Sequence, residues 1–150
     1  TKERLKRFYR NPDDRELVST FAQMGRYLLI SSSREDNPLP ANLQGVWADG
    51  YEVPWNGDYH ANINYQMNYW AVNSANLGEC FTPACELNLS LVPSGRITAK
   101  EYYNSTGWTC NYTTDAWGWT AGRRTSLGSV LLRRGLALPN AVRLIRLQRR

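Results

Sequence analysis

The residues with the clearest chemical potential lie together at residues 60–70 (His-Ala-Asn-Ile-Asn-Tyr-Gln-Met-Asn-Tyr-Trp). Asn62 and Asn64 are two positions apart, so in an extended segment both amides would project to the same side. Amide, imidazole and indole groups are costly to bury together unless they are hydrogen-bonded. The stretch therefore predicts either an internal polar network, which the spacing alone slightly favours, or a pocket for a polar ligand.

His60 is the only histidine, and no cluster of metal-ligating residues surrounds it in the sequence. A lone histidine is more often a hydrogen-bonding group than a catalyst. Cys80 and Cys85 lie five positions apart, which fits neither C-x-x-C chemistry nor a common zinc spacing. With Cys110, one disulfide plus a free thiol and three free cysteines are both open. We expect no metal and no cofactor, and no serine-hydrolase or nucleotide-binding motif is present.

A long segment punctuated by Pro and Gly, residues 35–59, precedes this stretch. Such punctuation predicts irregular structure, and a loop of about 25 residues in a compact domain is usually functional or disordered. Disordered segments avoid tryptophan, whereas this one carries Trp47 near the amides of Asn42 and Gln44. We therefore expect an ordered binding loop.

The elements that must position these side chains are predicted to be mainly helical. Asn-Pro-Asp-Asp at residues 11–14 is a helix-start signal, and Leu17, Phe21, Met24 and Leu28 then recur at helical spacing. We predict a helix over residues 13–33 whose apolar stripe is core.

Shorter helices follow further along the chain. The pattern predicts helices over residues 64–77 and 82–92, the second ended by Pro-Ser-Gly at 93–95, and a helical turn over 99–104. No stretch shows the sustained alternation that is typical of strands. The predicted fold class is mainly α, with long decorated loops.

The charge divides the chain into two parts. Residues 1–121 hold 10 Lys and Arg against 13 Asp and Glu, whereas residues 122–150 hold 8 Arg and no acid. The net charge of +5 is therefore no nucleic-acid footprint. We predict a domain fragment over residues 1–121 and an Arg-rich tail over 122–150. The tail is either an amphipathic membrane- or nucleic-acid-binding helix, or translation out of frame or through an intron, which we favour.

Three N-glycosylation sequons suggest where the protein works. They begin at Asn88, Asn104 and Asn111, and none has a central proline. This density favours a secreted protein, although no signal peptide opens the chain, so we expect its true start to be missing. No apolar run approaches the roughly 20 residues of a membrane span.

Three blocks of residues resemble glycoside hydrolase family 95. They are residues 39–47 (Leu-Pro-Ala-Asn-Leu-Gln-Gly-Val-Trp), residues 62–70, and residues 107–118 with their Gly-Trp and Thr-Asp-Ala-Trp-Gly. The resemblance covers about residues 8–121, with the blocks in the family's order. The best-known members are α-L-fucosidases, and some act on α-L-galactosides. The resemblance implies a partial (α/α)6 toroid, in which this chain supplies the first helices of the barrel.

The resemblance also implies an inverting mechanism in which Asn62 and Asn64 hold the attacking water. Amide oxygens can orient and polarise a water but cannot take its proton, so a carboxylate must act as general base. The family's general acid and base lie downstream of the matching blocks. Neither role is therefore assigned to a residue of this chain.

Five further side chains are expected near the sugar. His60 and Trp117 would contact it, with the indole stacked on its apolar face, while Asn42, Gln44 and Trp47 would shape the pocket wall. A content of 6 Trp and 9 Tyr suits sugar binding, because these residues combine an apolar face with a polar tip, and it equally suits a core rich in large residues.

The sequence thus predicts a secreted glycoside hydrolase of the α-L-fucosidase type, incomplete and inactive on its own. Its partner would be a fucosylated oligosaccharide or polysaccharide, with no nucleic acid and no membrane. Two alternatives stay open: an α-L-galactosidase of the same family, and a non-catalytic sugar-binding fragment.

Overall fold

The computed structural model describes residues 1–122, so the predicted Arg-rich tail lies, apart from Gly122, outside the described residues. The regular elements, in chain order, are α1 (Lys2–Arg10), α2 (Arg15–Ser32), a 3-10 turn (Pro54–Gly57), β1 (Tyr59–His60), α3 (Asn64–Asn68), a second 3-10 turn (Gly78–Phe81), α4 (Thr82–Ser90), α5 (Val92–Tyr103) and β2 (Thr113–Thr114). The mainly α fold class is confirmed. Closure into an (α/α)6 barrel stays a prediction.

Helix α2 begins where its start signal places it. The Asp14 carboxylate accepts the Leu17 N–H at 3.0 Å, which satisfies one of the unpaired donors of the first turn. Arg4 on the unpredicted helix α1 donates to both Asp14 oxygens, at 2.6 and 2.7 Å. A capping carboxylate thus also joins the two helices.

The apolar stripe of α2 is not core in the described part of the chain, which corrects the prediction. Phe21 is 81% exposed and Met24 50%, and Leu28 is also exposed. Helix α2 meets the core through its last turn instead, where Leu29 packs on the buried cluster and Ser32 and Ser33 are buried. The periodicity therefore identified a helix but not the face that is covered.

The core is built around three tyrosines. Tyr59, Tyr65 and Tyr69 pack edge to face, with ring centroids 5.7 and 5.8 Å apart. Val72, Ala84 and Leu87 complete the buried cluster. The core therefore joins β1, α3 and α4, the elements that surround the Asn-rich stretch.

One predicted helix end and one predicted helix start were wrong, since α3 ends early and α5 begins at Val92 and not at residue 99. Helix α3 ends at Asn68 and gives way to turns, in which Asn76 adopts a positive φ of 53°. Pro93, predicted to end a helix, lies in the first turn of α5. Only Leu91 separates α4 from α5, because a proline lacks the N–H that would continue the ladder yet fits the start of a new helix.

Residues 109–121 fold back onto α5. The Thr109 N–H donates to Gly95 O at 3.1 Å, and the hydroxyls of Thr98 and Thr120 are bonded at 2.7 Å. A side chain at Gly95 would lie 2.8 Å from Thr109 O, so the close approach requires glycine.

No helix within residues 1–122 is long and apolar enough to cross a bilayer.

Candidate functional site

A short antiparallel pairing joins two of the sequence blocks. His60 in β1 lies opposite Thr113 in β2, and the Ala61 N–H donates to Tyr112 O at 2.7 Å. The ladder places the start of the Asn-rich stretch directly beside the segment that leads to Trp117.

The long loop reaches the same place. Asn42 Oδ1 accepts the Gln44 N–H at 2.7 Å, and Gln44 Nε2 donates to Pro54 O at 3.3 Å. The Leu43 N–H donates to Asp58 O at 3.2 Å. Gln44 and the Leu43 N–H thus brace the loop against the segment that precedes His60, whereas Asn42 Oδ1 bonds within the loop.

Trp47 closes the turn of this loop. Gly45 has a φ of +64°, and a Cβ there would lie 2.6 Å from the Trp47 ring. The indole therefore covers the glycine backbone, while 46% of the residue remains exposed. Trp47 is held by its own loop and still presents a face to solvent.

Asn62 and Asn64 are exposed, and they do not lie in an extended segment. Asn62 stands in a turn where its Oδ1 accepts the Ile63 N–H at 3.0 Å, and Asn64 is the first residue of α3. Gln66 Nε2 donates to Ala61 O at 2.6 Å and fixes this turn. The favoured internal network is therefore wrong for this pair: both amides are accessible to water.

Asp58 lies beside the only histidine. Its Oδ1 is 2.9 Å from His60 Nε2, and the two side chains are 20% and 19% exposed. The contact has ion-pair distance without hydrogen-bond angles, since this buried oxygen has no hydrogen-bond partner within residues 1–122. At this distance Asp58 is close enough to orient His60. Sequence reasoning did not single out this residue for such a role.

The backbone around Trp117 is fixed by the carboxylate of Asp115. Asp115 Oδ1 accepts the N–H groups of Trp117 and Trp119, at 2.8 and 3.1 Å. The Trp117 side chain is 64% exposed. Trp117 follows β2 through this turn, whereas Gln44 and the Leu43 N–H contact Pro54 and Asp58 in the segment that leads to His60.

The three core tyrosines also make hydrogen bonds that fix the long loop and α4 to the core beneath the site. The Tyr69 hydroxyl accepts the Ala41 N–H at 2.9 Å and lies 2.8 Å from Ser33 Oγ. The Tyr59 and Tyr65 hydroxyls donate to Pro40 O and Ala84 O, at 3.2 and 3.0 Å. Burial raises the pKa of Tyr59 to about 12 and raises those of Tyr65 and Tyr69 as well.

A cleft of about 370 Å³ opens next to Ala61. Its lining includes Tyr65, Gln66, Asn88, Trp108 and Thr114. A larger depression of about 550 Å³ is lined by Arg34, Asp36, Glu79 and neighbouring residues, none of which is a predicted site residue. Within residues 1–122, no three His, Cys, Asp or Glu side chains are grouped as metal ligands.

Comparison with known proteins gives consistent matches. The glycosyl hydrolase family 95 catalytic domain matches residues 1–134, so the match continues past the described part of the chain. "Alpha-L-fucosidase 2" of Arabidopsis thaliana is 42% identical over 124 residues, which are 83% of this chain and 14% of that protein. "Probable alpha-fucosidase A" of Aspergillus niger is 44% identical over 115 residues, 75% of this chain and 14% of that protein.

The corresponding protein of Aspergillus oryzae is 47% identical over 85 residues, 56% of this chain and 12% of that protein. The chain thus spans about one seventh of the length of the curated relatives it matches most fully.

Proposed function

Since the chain belongs to glycoside hydrolase family 95, we propose that it forms part of a catalytic domain that hydrolyses terminal α-L-fucosyl linkages of glycans. One observation carries the proposal. The exposed amides of Asn62 and Asn64 stand on a turn braced by β2, by Gln66 and by the tyrosine-anchored core. Such bracing allows exposed polar groups to be held in one place, as catalysis requires.

Asn62 and Asn64 position the attacking water in this proposal. One of the two amide oxygens accepts one hydrogen of the water, and the Nδ2–H of the other amide donates to the water oxygen. The second hydrogen of the water is then left for the base, and the remaining lone pair of the water is directed at the anomeric carbon. An amide cannot take the proton, so a carboxylate acts as base while a second carboxylic acid protonates the leaving oxygen. The two carboxyl groups work on opposite faces of the sugar, and the anomeric centre is inverted.

The two carboxyl groups are expected from outside the described residues. Asp115 is occupied by two backbone N–H groups, Asp58 faces His60, and Glu79 lines the separate depression beside Arg34. Among the described residues, no hydrogen bond joins any of the three to Asn62 or Asn64, so we assign neither role to them. The chain alone should therefore bind or position substrate without hydrolysing it.

The sugar would be contacted by the exposed aromatic and polar side chains around the Asn62 turn. In this proposal Trp47 and Trp117 offer apolar faces for stacking, and His60, oriented by Asp58, donates to a sugar hydroxyl. Asn42 and Gln44 hold the wall of the pocket in shape. The substrate is a fucosylated oligosaccharide or polysaccharide, and we propose that the protein meets it outside the cell, as its three sequons suggest.

A chimera tests this proposal. Residues 1–122 of this chain would replace the matching segment of the Aspergillus niger relative, and hydrolysis of 4-nitrophenyl α-L-fucoside and α-L-galactoside would be compared. We expect fucoside hydrolysis, with Asn62→Gly and Asn64→Gly each lowering kcat at least about 100-fold, the scale of losing a group that stabilises the transition state. Product stereochemistry, followed by NMR, should show inversion.

Matched controls define the result. Asn73→Gly changes an exposed asparagine of the same region and should leave kcat unchanged. Near-normal turnover in both Asn62→Gly and Asn64→Gly would remove the pair from the mechanism. A preference for the galactoside would favour the α-L-galactosidase alternative.

A further inference from the structure

We infer that, when the chain folds in a eukaryotic secretory pathway, it carries an N-linked glycan on Asn104 and none on Asn111. The inference rests on the proposed secretion and not on the proposed hydrolysis. In the transfer step the Asn Nδ2 forms a bond to C1 of a lipid pyrophosphate-linked oligosaccharide. Nδ2 loses one proton, and the lipid pyrophosphate leaves. Because the product is a bulky side chain, the folded protein retains it only where the amide faces open solvent.

Asn104 meets this requirement. It ends α5 in the left-handed conformation, with a φ of 48°, which asparagine tolerates better than most residues. Its Oδ1 accepts Lys100 Nζ at 2.6 Å, which leaves Nδ2 without a hydrogen bond in the described part of the chain. The whole sequon and the following Gly107 are exposed. A glycan on Nδ2 would displace no contact.

Asn111 fails the same requirement. Its Nδ2 donates to Thr120 O at 3.1 Å, and its own N–H donates to the same oxygen at 3.0 Å. A Cβ built on Gly122 would lie 3.8 Å from the Asn111 amide nitrogen and carbon, so backbone covers the group. Thr113, the third sequon residue, is 8% exposed in β2. A sugar on Asn111 would have to displace Thr120 and Gly122 from their place against its side chain.

The two sequons therefore differ in what the fold can accommodate, although both are acceptors before folding. A chain modified on Asn111 would have to fit the sugar beside Thr120 and Gly122, which should weaken the contacts that hold residues 109–121 on α5. It should be retained or aggregate, so the secreted and folded fraction should lack it. Asn88 is exposed on α4 but lines the cleft beside Ala61, so its sequon is removed in the test by Ser90→Ala.

The experiment expresses the full 150-residue chain with an added signal peptide and a carboxyl-terminal reference sequon that reports entry into the pathway. The secreted monomer is treated with an N-glycan amidase in ¹⁸O water, which labels each formerly glycosylated site as ¹⁸O-aspartate. Mass spectrometry should find the label at Asn104 and at the reference site, and not at Asn111. Thr106→Ala should remove one glycan from the secreted protein, while Thr113→Val should remove none.

Each outcome decides the inference. An Asn111 glycan confined to aggregated or retained material agrees with it. An Asn111 glycan in the secreted monomer overturns it, and so does a bare Asn104 in molecules whose reference sequon is occupied. Because glycan occupancy is measured on this chain and hydrolysis on the chimera, failure of one leaves the other standing.

Discussion

The helices of residues 2–32 and the tyrosine-centred region of residues 59–121 differ in where their large apolar side chains lie. In α2, Phe21 is 81% exposed, whereas Tyr65 and Leu87 in the second region are 7% and 5% exposed. Among the described residues, α2 contributes chiefly Leu29 to the buried cluster. Local interactions such as caps and ion pairs therefore stabilise the first region, and packing stabilises the second.

The same glycine substitution should have opposite effects in the two regions. At Gly95 in α5, an added Cβ would lie 2.8 Å from Thr109 O and 2.9 Å from the Trp108 ring. We expect Gly95→Ala to lower the free energy of unfolding by about 1–3 kcal/mol, because a backbone atom must move. At Gly25 in α2 an added Cβ would meet no other side chain or segment of residues 1–122 within 4 Å, so Gly25→Ala should raise this free energy by about 0.5–1 kcal/mol.

Urea denaturation of the two variants and the parent measures this contrast. It is the largest we expect, since the two changes differ in sign. Equal destabilisation by both would mean that Gly25 is covered in solution, and the comparison between regions would then fail.

Removing a tyrosine hydroxyl should also change the free energy of unfolding more in the second region than in the first, but by a smaller difference. Tyr69→Phe leaves the buried Ala41 N–H without its acceptor, while Ser33 Oγ keeps its 2.9 Å bond to Cys80 O. We expect a loss of about 1–2 kcal/mol, the cost of one buried donor without a partner. Tyr27→Phe in α2, where the side chain is 56% exposed, should change stability by less than about 0.5 kcal/mol.

The measurement is again the urea midpoint, with near-ultraviolet circular dichroism to follow the aromatic cluster. If Tyr69→Phe proved as stable as Tyr27→Phe, the Tyr69 hydroxyl could not be what fixes the loop to the core.

Local signals in the sequence predicted the positions of the helices better than they predicted which helix faces are buried. The capping carboxylate of Asp14 and the helical period set α2 to within two residues of its observed start. Burial of its stripe is decided by groups remote in sequence, which a period cannot identify. The start of α5 at Val92 was missed for a different reason, since Pro93 is as compatible with the first turn of a helix as with the residues that follow one.

The candidate site shows the same division. The residue types of the site could be read from the sequence. The hydrogen bond between Ser33 and Tyr69, however, joins residues 36 positions apart, and no local sequence pattern predicts it. The only hint was the spacing of Tyr65 and Tyr69, which places both on one helix face. The turn at Asn62 likewise depends on Gln66 and on β2, so an extended segment was a reasonable but wrong assumption.

The smallest expected effect concerns the local interactions of the first region. The hydrogen-bonded Arg4 guanidinium, helped by the Leu17 N–H, lowers the pKa of Asp14 from 3.8 to about 2. A carboxyl whose pKa is lower in the folded state stabilises that state above its unfolded pKa, and this contribution disappears as the pH falls through the folded pKa. The α1–α2 contact should therefore weaken between about pH 4 and pH 2.

Asp14→Asn is the matched variant, because asparagine also caps helices but carries no charge for Arg4. Far-ultraviolet circular dichroism from pH 6 to pH 2 should show a loss of helix in the parent that the variant lacks, while the variant starts from slightly lower helicity. Salt should shrink the difference, since both side chains are about 30% exposed. Identical acid titrations of the two proteins would mean that the Arg4–Asp14 pair does not hold the helices together. The first region would then depend on packing, as the second one does.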